Sequence, residues 1–333
     1  MKDIFIKKNN YEINEQIKSV LLYGDLGLLP SPKVSIIMPV YKRPDTFKEA
    51  LQSALSQDYQ ESYEIIVVDN YDEAGDSPNL EVVKKAGANN IFYYRNLHNL
   101  GMLGNWNRGI ELARAPYVTY CHDDDQLLPN CLSRLMELQK LSGNKCILSA
   151  MNIIDEKGNY VLKYNYPHRS KRFFVERDHY NYTLFDQFIA SKGFGVGCLF
   201  NKECMLEIGG YDQDYYPSAD YALHSCYTYY YGCVFNCIPT FNYRMANNES
   251  LNQFQKFAER DYFFRQCMIE KLTIPRWFLK RVNDALHRIN TVTLSIKWGG
   301  KSKELINTIK KSDTLIVRIA SYRPLLKRNR LIF

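Results

Sequence analysis

A chain of 333 residues with 46% hydrophobic and 24% charged side chains has ordinary globular composition, which excludes overall disorder and allows one large domain with an appendage, or two domains. Its formal charge of +7 is unevenly placed: residues 271–333 carry 15 Lys and Arg against 3 Asp and Glu, a net of +12, and residues 1–270 carry a net of −5. The basic tail points to an anionic partner, with a membrane surface favoured because no nucleic-acid reader motif accompanies it, and no apolar run is long enough to span a bilayer.

Nine cysteines include no CxxC pair, and Cys233 and Cys237 have no nearby His to complete a zinc set. The odd count, and a start ("MKDIFIKKNNYEINEQ") without the apolar core of a signal peptide, give the expectation of reduced thiols in a cytoplasmic protein, peripheral on the inner face of the cell membrane if the tail docks there.

Residues 1–33 read as an amphipathic helical preface closed by Pro30 and Pro32. "VSIIM", Val34 to Met38, is a continuous apolar run, the mark of a strand covered on both faces. The loop "PVYKRPD" leads to a helix with Asp45 as its expected cap and Phe47, Leu51 and Leu55 at four-residue spacing. "YEIIVVDN" is a second buried strand ending in Asp69 and Asn70, Glu81 to Ala86 a helix, and "IFYYRN" a third strand. A glycine-broken loop then opens a helix carrying Trp106, Ile110 and Ala113 on one face.

Next comes "YVTYCHDDDQLLP". Tyr117 to Tyr120 is a short buried strand, Asp123, Asp124 and Asp125 follow it, and a helix begins around Asn130. Three like charges repel, so a compact fold offsets them with a cation or hydrogen bonds; hard divalent ions suit such oxygens and keep positions open for phosphate. The bland alternative is a solvated acidic turn. The strand–helix alternation implies a parallel sheet with right-handed crossovers, whose ligands bind beyond the carboxyl ends of the strands. Asp69, Asn70 and Asp123 to Asp125 all fall there.

The second half is less regular. Cys146 to Asp155 is a strand, the stretch to Asp178 is loop-rich, and "GFGVGCLFNKECMLEIGGYD" is a glycine-rich approach, a strand and a helix ending at Gly209 and Gly210. "SADYALHSCYTYYYG" is a helix from about Ala219, and "IPTFNYRMANNES" a last strand and polar loop. From Gln255 the pattern is helical and increasingly basic, with Leu305, Ile309, Ile316 and Ile319 forming an approximate apolar stripe, which suits docking on a membrane surface or, as the alternative, a helical pair packed on the core with its charges solvated.

Over residues 34–250 these motifs, in this order, resemble the family 2 glycosyltransferases. The resemblance is carried by "VSIIMPVYKRPDTFKEALQSALSQDYQ", "YEIIVVDN", "NLGMLGNWNRGIELARAPYVTYCHDDDQLLP", "GGYD…SADYAL" and "YRMANNES". It implies an α/β fold of the GT-A type, a mostly parallel sheet flanked by helices, with a nucleotide-binding half (34–130), an acceptor half (131–250) and a basic helical C-terminal extension (251–333). It also implies transfer of a sugar, with inversion, from a nucleotide-diphosphate sugar (UDP by preference) to a hydroxyl of a glycan or lipid-linked glycan in bacterial surface polysaccharide assembly.

By the same resemblance Pro39, Val40 and Tyr41 wall the base and Arg43 approaches the nucleotide, while Asp69 and Asn70 contact base and ribose. Asn107 lies near the sugar and Arg244 reaches the diphosphate. Asp124 takes the principal metal position for Mn2+ or Mg2+, with Asp123 sharing the metal or facing the ribose, and Asp125 in support. Asp220 is the general base. Three positions depart from the family pattern: Asn70 and Ala219 replace acids, and His122 replaces the first acid of the metal motif. These departures motivate the alternative of a non-catalytic nucleotide-sugar or carbohydrate-binding protein. A sugar nucleotidyltransferase would need a glycine-rich loop where this chain has "PVYKRPD".

Overall fold

The computed structural model describes residues 2–164, 178–190, 193, 195–245 and 253–299, the side chains of 254 and 289–299 excepted. In chain order its first elements are β1 (Ser19–Tyr23), β2 (Val34–Val40), α1 (Pro44–Leu55), β3 (Tyr63–Asp69), α2 (Pro78–Ala86), β4 (Ile91–Asn96), α3 (Gly101–Leu112) and β5 (Tyr117–Tyr120). There follow β6 (Gln126–Leu127), α4 (Cys131–Ser142), β7 (Cys146–Ile154), β8 (Tyr160–Leu162), β9 (His179–Tyr182), α5 (Leu184–Ala190), β10 (Phe200–Asn201), α6 (Lys202–Ile208), α7 (Ala219–Tyr231), β11 (Cys233–Arg244), α8 (Phe254–Ile269) and α9 (Arg276–Gly299).

The central sheet has the order β1-β4-β3-β2-β5-β10, with β4, β3, β2 and β5 parallel and the two edges antiparallel. Every residue of β2 is buried, as its unbroken apolar run requires of a strand covered on both faces. On one face α1 lays down Phe47, Ala50, Leu51 and Ala54. On the other α3 comes in closely through Gly109, where a Cβ would stand 2.2 Å from Ile37 Cγ2. α2 is capped by Ser77, whose side chain accepts from the Asn79 N–H, and closes on Gly87 in the left-handed region.

A second sheet runs β6-β11-β7-β8, with β9 added to β11. β7 and β11 are parallel, and β11 runs for twelve residues from Cys233 to Arg244, well before the strand expected at Ile238. Its far end lies beside the acidic turn.

Two expectations are corrected. The preface to residue 33 is not helical: besides two short 3-10 turns it forms β1, which pairs antiparallel with β4 and alternates exposed Val20 and Leu22 with half-buried neighbours. The alternation has the period of an edge strand, and sheet pairing overrides the helical reading. Asp45 does not cap α1; Arg43 is the cap residue, Pro44 opens the helix, and Asp45 sits in the first turn. The expected helical C-terminal extension is present as α8 and α9, and it packs on the domain: Phe264, Met268, Leu279 and Leu286 share one core with Tyr211, Tyr221 and Phe200. The apolar stripe from Leu305 to Ile319, like Asn247 to Ser250, lies outside the described residues.

Candidate active site

The carboxyl ends of β2, β3 and β5 place the β2–α1 loop, the β3–α2 loop and the acidic turn side by side. Val40 and Asp69 are register partners, and Cys121 N–H continues the β5 pairing to Ile37 O at 2.9 Å. Pro39 and Val40 lie inside β2 and are buried, so Tyr41, 39% exposed, is the side chain the loop presents to solvent. Lys42 follows at φ 52°, in the left-handed region that costs a non-glycine residue strain. Its ammonium pairs with Asp72 at 2.8 Å and Glu73 at 2.9 Å, and Tyr41 Oη donates to Asp72 at 3.2 Å. These contacts join the two loops, and the Lys42 ammonium, with Asn99, holds the Asp72 carboxyl below its usual range, at about 2.

Asp123 is turned toward the β2 loop. Its Oδ2 accepts from Tyr41 N–H at 3.4 Å, and Arg43 Nη1 stands 3.5 Å from its Oδ1 and 3.0 Å from Asp124 Oδ2. Asp125, fully enclosed, accepts the backbone N–H of Arg244 at 2.9 Å. Burial, reinforced by the neighbouring Asp124, pushes the Asp123 carboxyl up to about 7 and that of Asp125 well above the carboxylate range. Burial also lowers the His122 imidazole, keeping it neutral. A neutral imidazole beside carboxylates that repel one another makes a donor set suited to a cation.

The expected ligands were Asp123, Asp124 and Asp125. Among the described residues it is instead His122, Asp124 and Asp125 that offer ligand atoms within 4.8 Å of one another. Asp123 is drawn aside by Tyr41 and Arg43, whereas His122 has a buried Nε2 with no hydrogen-bond partner. His122 Nδ1 stands 3.7 Å from Asp125 Oδ2, and an imidazole nitrogen with two carboxylates is a mixed donor set that fits a divalent cation.

Four residues expected to contact the nucleotide or sugar have their side-chain polar atoms committed inside the protein. Asp69, fully buried, accepts from Tyr71 N–H (2.9 Å), Ser77 Oγ (2.6 Å), Asn79 Nδ2 (3.1 Å) and Tyr93 Oη (2.5 Å). Asn70 Oδ1 accepts from Asn96 Nδ2 and Leu100 N–H while its Nδ2 donates to Gly101 O. Asn107 makes a reciprocal pair with the Tyr211 backbone, both bonds 2.8 Å, tying α3 to the loop before α7. The guanidinium of Arg244, 2% exposed, donates to Asp124 O at 2.8 Å, Glu156 O at 2.9 Å and Glu49 Oε2 at 2.5 Å. These hydrogen bonds build the four side chains into the walls around the strand ends, and a saturated buried polar group has little capacity left for a further partner.

Asp220 stands in the first turn of α7, where its Oδ1 accepts the Tyr221 N–H at 2.8 Å. Gly193 packs against it so closely that a Cβ there would be 2.8 Å from Asp220 Cγ. Burial pushes the Asp220 carboxyl up to about 7, and the charge of Asp261 on α8 adds to the rise. Asp261 is itself raised by burial to about 6, with Arg265 Nη2 at 3.9 Å opposing the shift. An aromatic chain joins the two acidic centres. His122 stacks on Trp106 at 4.8 Å, Trp106 meets Tyr211 edge-on at 5.0 Å, and Tyr211 feels the charge of Asp220. Gly195 lies by Tyr120 and Tyr211, while Gly197 packs on Phe241 in the core.

Sequence reasoning missed three features: His122 as a ligand candidate, the Lys42–Asp72 clasp, and Asp261. The first departs from the motif at a position where the pattern expects an acid. The other two have no local signal, since an acid in "FAERDYFF" reads as a solvated helix face.

Residues 35–200 match the family model described as Glycosyl transferase family 2. An uncharacterized glycosyltransferase of Methanocaldococcus jannaschii is 28% identical over 162 residues, 45% of this chain and 54% of that protein. The GalNAc(5)-diNAcBac-PP-undecaprenol beta-1,3-glucosyltransferase of Campylobacter jejuni is 28% identical over 134 residues, 40% of this chain and 42% of that protein. The chain thus spans about half the length of these curated relatives. Among solved structures, S. aureus TarS 1-349 in complex with UDP-GlcNAc superposes with a TM-score of 0.56 at 13% identity, covering 86% of this chain and 79% of that one, a likeness of fold.

Proposed function

From a chain that belongs to the family 2 glycosyltransferases through residues 35–200, we propose an enzyme that transfers a sugar, with inversion, from a UDP-linked donor to a hydroxyl of a glycan or lipid-linked glycan. The observation that carries this reading is the pairing of two acidic centres. The cation-seeking turn His122 to Asp125 stands at the end of β5, and a carboxylate raised into the range of a general base, Asp220, stands beyond the Trp106–Tyr211 link. The UDP-sugar ligand of TarS and the lipid-linked glycan in the name of the Campylobacter relative favour this donor and acceptor.

The roles divide as follows. Tyr41 and the Lys42–Asp72 clasp shape the side of the base pocket, over walls set by Asp69, Asn70, Asn107 and Arg244. His122, Asp124 and Asp125 hold a divalent cation, Mn2+ or Mg2+, with Asp123 beside them toward the ribose. When bound, that ion supplies positive charge to the leaving diphosphate. Asp220 Oδ2 takes the proton of the acceptor hydroxyl as its oxygen bonds to the anomeric carbon; the bond from that carbon to the diphosphate breaks on the opposite face. No helix of the described residues is long and apolar enough to cross a membrane. We place the reaction in the cytoplasm at an anionic membrane surface, which the exposed Arg276, Lys280, Arg281 and Arg288 of α9 favour.

The test is calorimetric titration of UDP-, GDP- and dTDP-sugars with and without Mn2+, followed by product detection against glycan acceptors. Binding of a UDP-sugar that needs Mn2+ and is lost in Asp124→Asn, with turnover lost in Asp220→Asn, is the expected result. Full transfer by both variants would overturn it.

A further inference from the structure

We propose that Arg43 and a divalent cation compete for Asp124, and that metal entry displaces the guanidinium onto the donor's diphosphate. The proposal rests on the reading of His122, Asp124 and Asp125 as the metal-binding group. Asp124 Oδ2 is held by Arg43 Nη1 at 3.0 Å, and the same nitrogen is 3.5 Å from Asp123 Oδ1. Arg43 thus holds one oxygen of a carboxylate that a cation there would need.

The surrounding charges favour exchange over coexistence. The other guanidinium at the turn, Arg244, is directed to Glu49 and to carbonyl oxygens, and gives Asp125 its backbone N–H. It is buried and built in. The Arg43 side chain is 52% exposed. Its backbone is anchored, because Arg43 is the cap residue of α1, its carbonyl accepts Phe47 N–H at 3.0 Å, and Pro44 follows. The head group can therefore leave Asp124 without disturbing the loop. A divalent ion brings two positive charges to the same carboxylate, so the single charge of Arg43 becomes both redundant and repelled. A guanidinium released beside a bound diphosphate is suited to phosphate oxygens, which it meets in a planar two-pronged geometry.

This exchange predicts opposite effects of one substitution on two ligands. In the full chain, Arg43→Gln should bind Mn2+ alone about three- to tenfold more tightly than wild type, the strength of a partly exposed ion pair. It should bind UDP, at saturating Mn2+, about tenfold more weakly, the loss of one charged phosphate contact. Arg43→Lys should fall between wild type and Arg43→Gln in both titrations. Mn2+ is read by electron paramagnetic resonance without nucleotide, UDP by calorimetry, and folding by circular dichroism. If folded Arg43→Gln binds Mn2+ no more tightly than wild type, while Asp124→Asn abolishes binding, the exchange is wrong and the metal site stands. Failure of wild type to bind Mn2+, or equal binding by Asp124→Asn, overturns the metal reading and the exchange with it.

Discussion

The backbone N–H of Arg244 donates to Asp125 at 2.9 Å while its guanidinium continues to Asp124 O and Glu49, so the last residue of β11 fastens the second sheet to the acidic turn of the first. Arg244 is thereby the buckle of the loop that carries the candidate metal ligands. Arg244→Ala should destabilise the fold by about 2–4 kcal/mol, because several buried acceptors lose their donor at once. It should weaken Mn2+ binding with it. Lysine should restore little, as one ammonium cannot span acceptors in three directions. Denaturant titration checks this, and wild-type stability combined with weakened UDP binding would return Arg244 to the phosphate.

Asp69 presents a similar case within the nucleotide half. Four donors converge on its carboxylate, one from its own loop, two from the start of α2 and one from β4. Asp69→Ala should cost about 2–4 kcal/mol, since it orphans these buried donors. UDP affinity measured on the fraction that remains folded should change less than threefold. A stable Asp69→Ala protein with UDP binding abolished would contradict this.

The rate should depend on pH through Asp220. As a base it works only ionised, and burial raises its carboxyl to about 7, so kcat/KM should fall as pH drops through about 7. Asp261 adds to that rise by repelling the ionised form. Asp261→Asn should therefore carry the acid limb to lower pH, while Asp220→Asn removes turnover at every pH. Profiles of wild type and Asp261→Asn with the same acid limb would show that Asp261 does not act on the base.

His224 sets an acid limit on the fold. It is fully buried on α7 and neither ring nitrogen has a hydrogen-bond partner, so burial lowers its imidazole to about 3. Below the ordinary value near 6.5 the unfolded chain binds a proton that the folded chain refuses. Its contribution is intact above about 6.5 and erodes as pH falls toward 3, reaching about 2–3 kcal/mol of lost stability at pH 4.5. His224→Leu should remove that part of the loss. Stability curves for the two proteins that stay parallel from pH 7 to 4.5 would refute it.

Much of the central sheet is legible in the amino-acid order. β2, β3 and β5 are short runs of apolar and β-branched residues that only burial on both faces explains, and their alternation with helices sets a parallel order. The acidic turn is legible for the same reason, since strand ends of such a sheet are where ligands gather. The start of α7 at Ala219, beside Asp220, agrees with the expected helix.

What the chain determined by itself is which segments become strands and helices and which ends carry charge, because periodicity and local chemistry act over a few residues. Tertiary structure alone decided how each polar atom is spent. Asp69 and Asn70, adjacent in the chain, are enclosed by partners from α2, β4 and the start of α3; Asp123 is drawn to the β2 loop, leaving His122 to join Asp124 and Asp125. β1 left its helical pattern to pair with β4, and Asp261 came to Asp220 from a different helix. A hydrogen bond or a charge interaction depends on distances of a few ångströms between segments remote in sequence, and these exist only once the sheets and helices have packed.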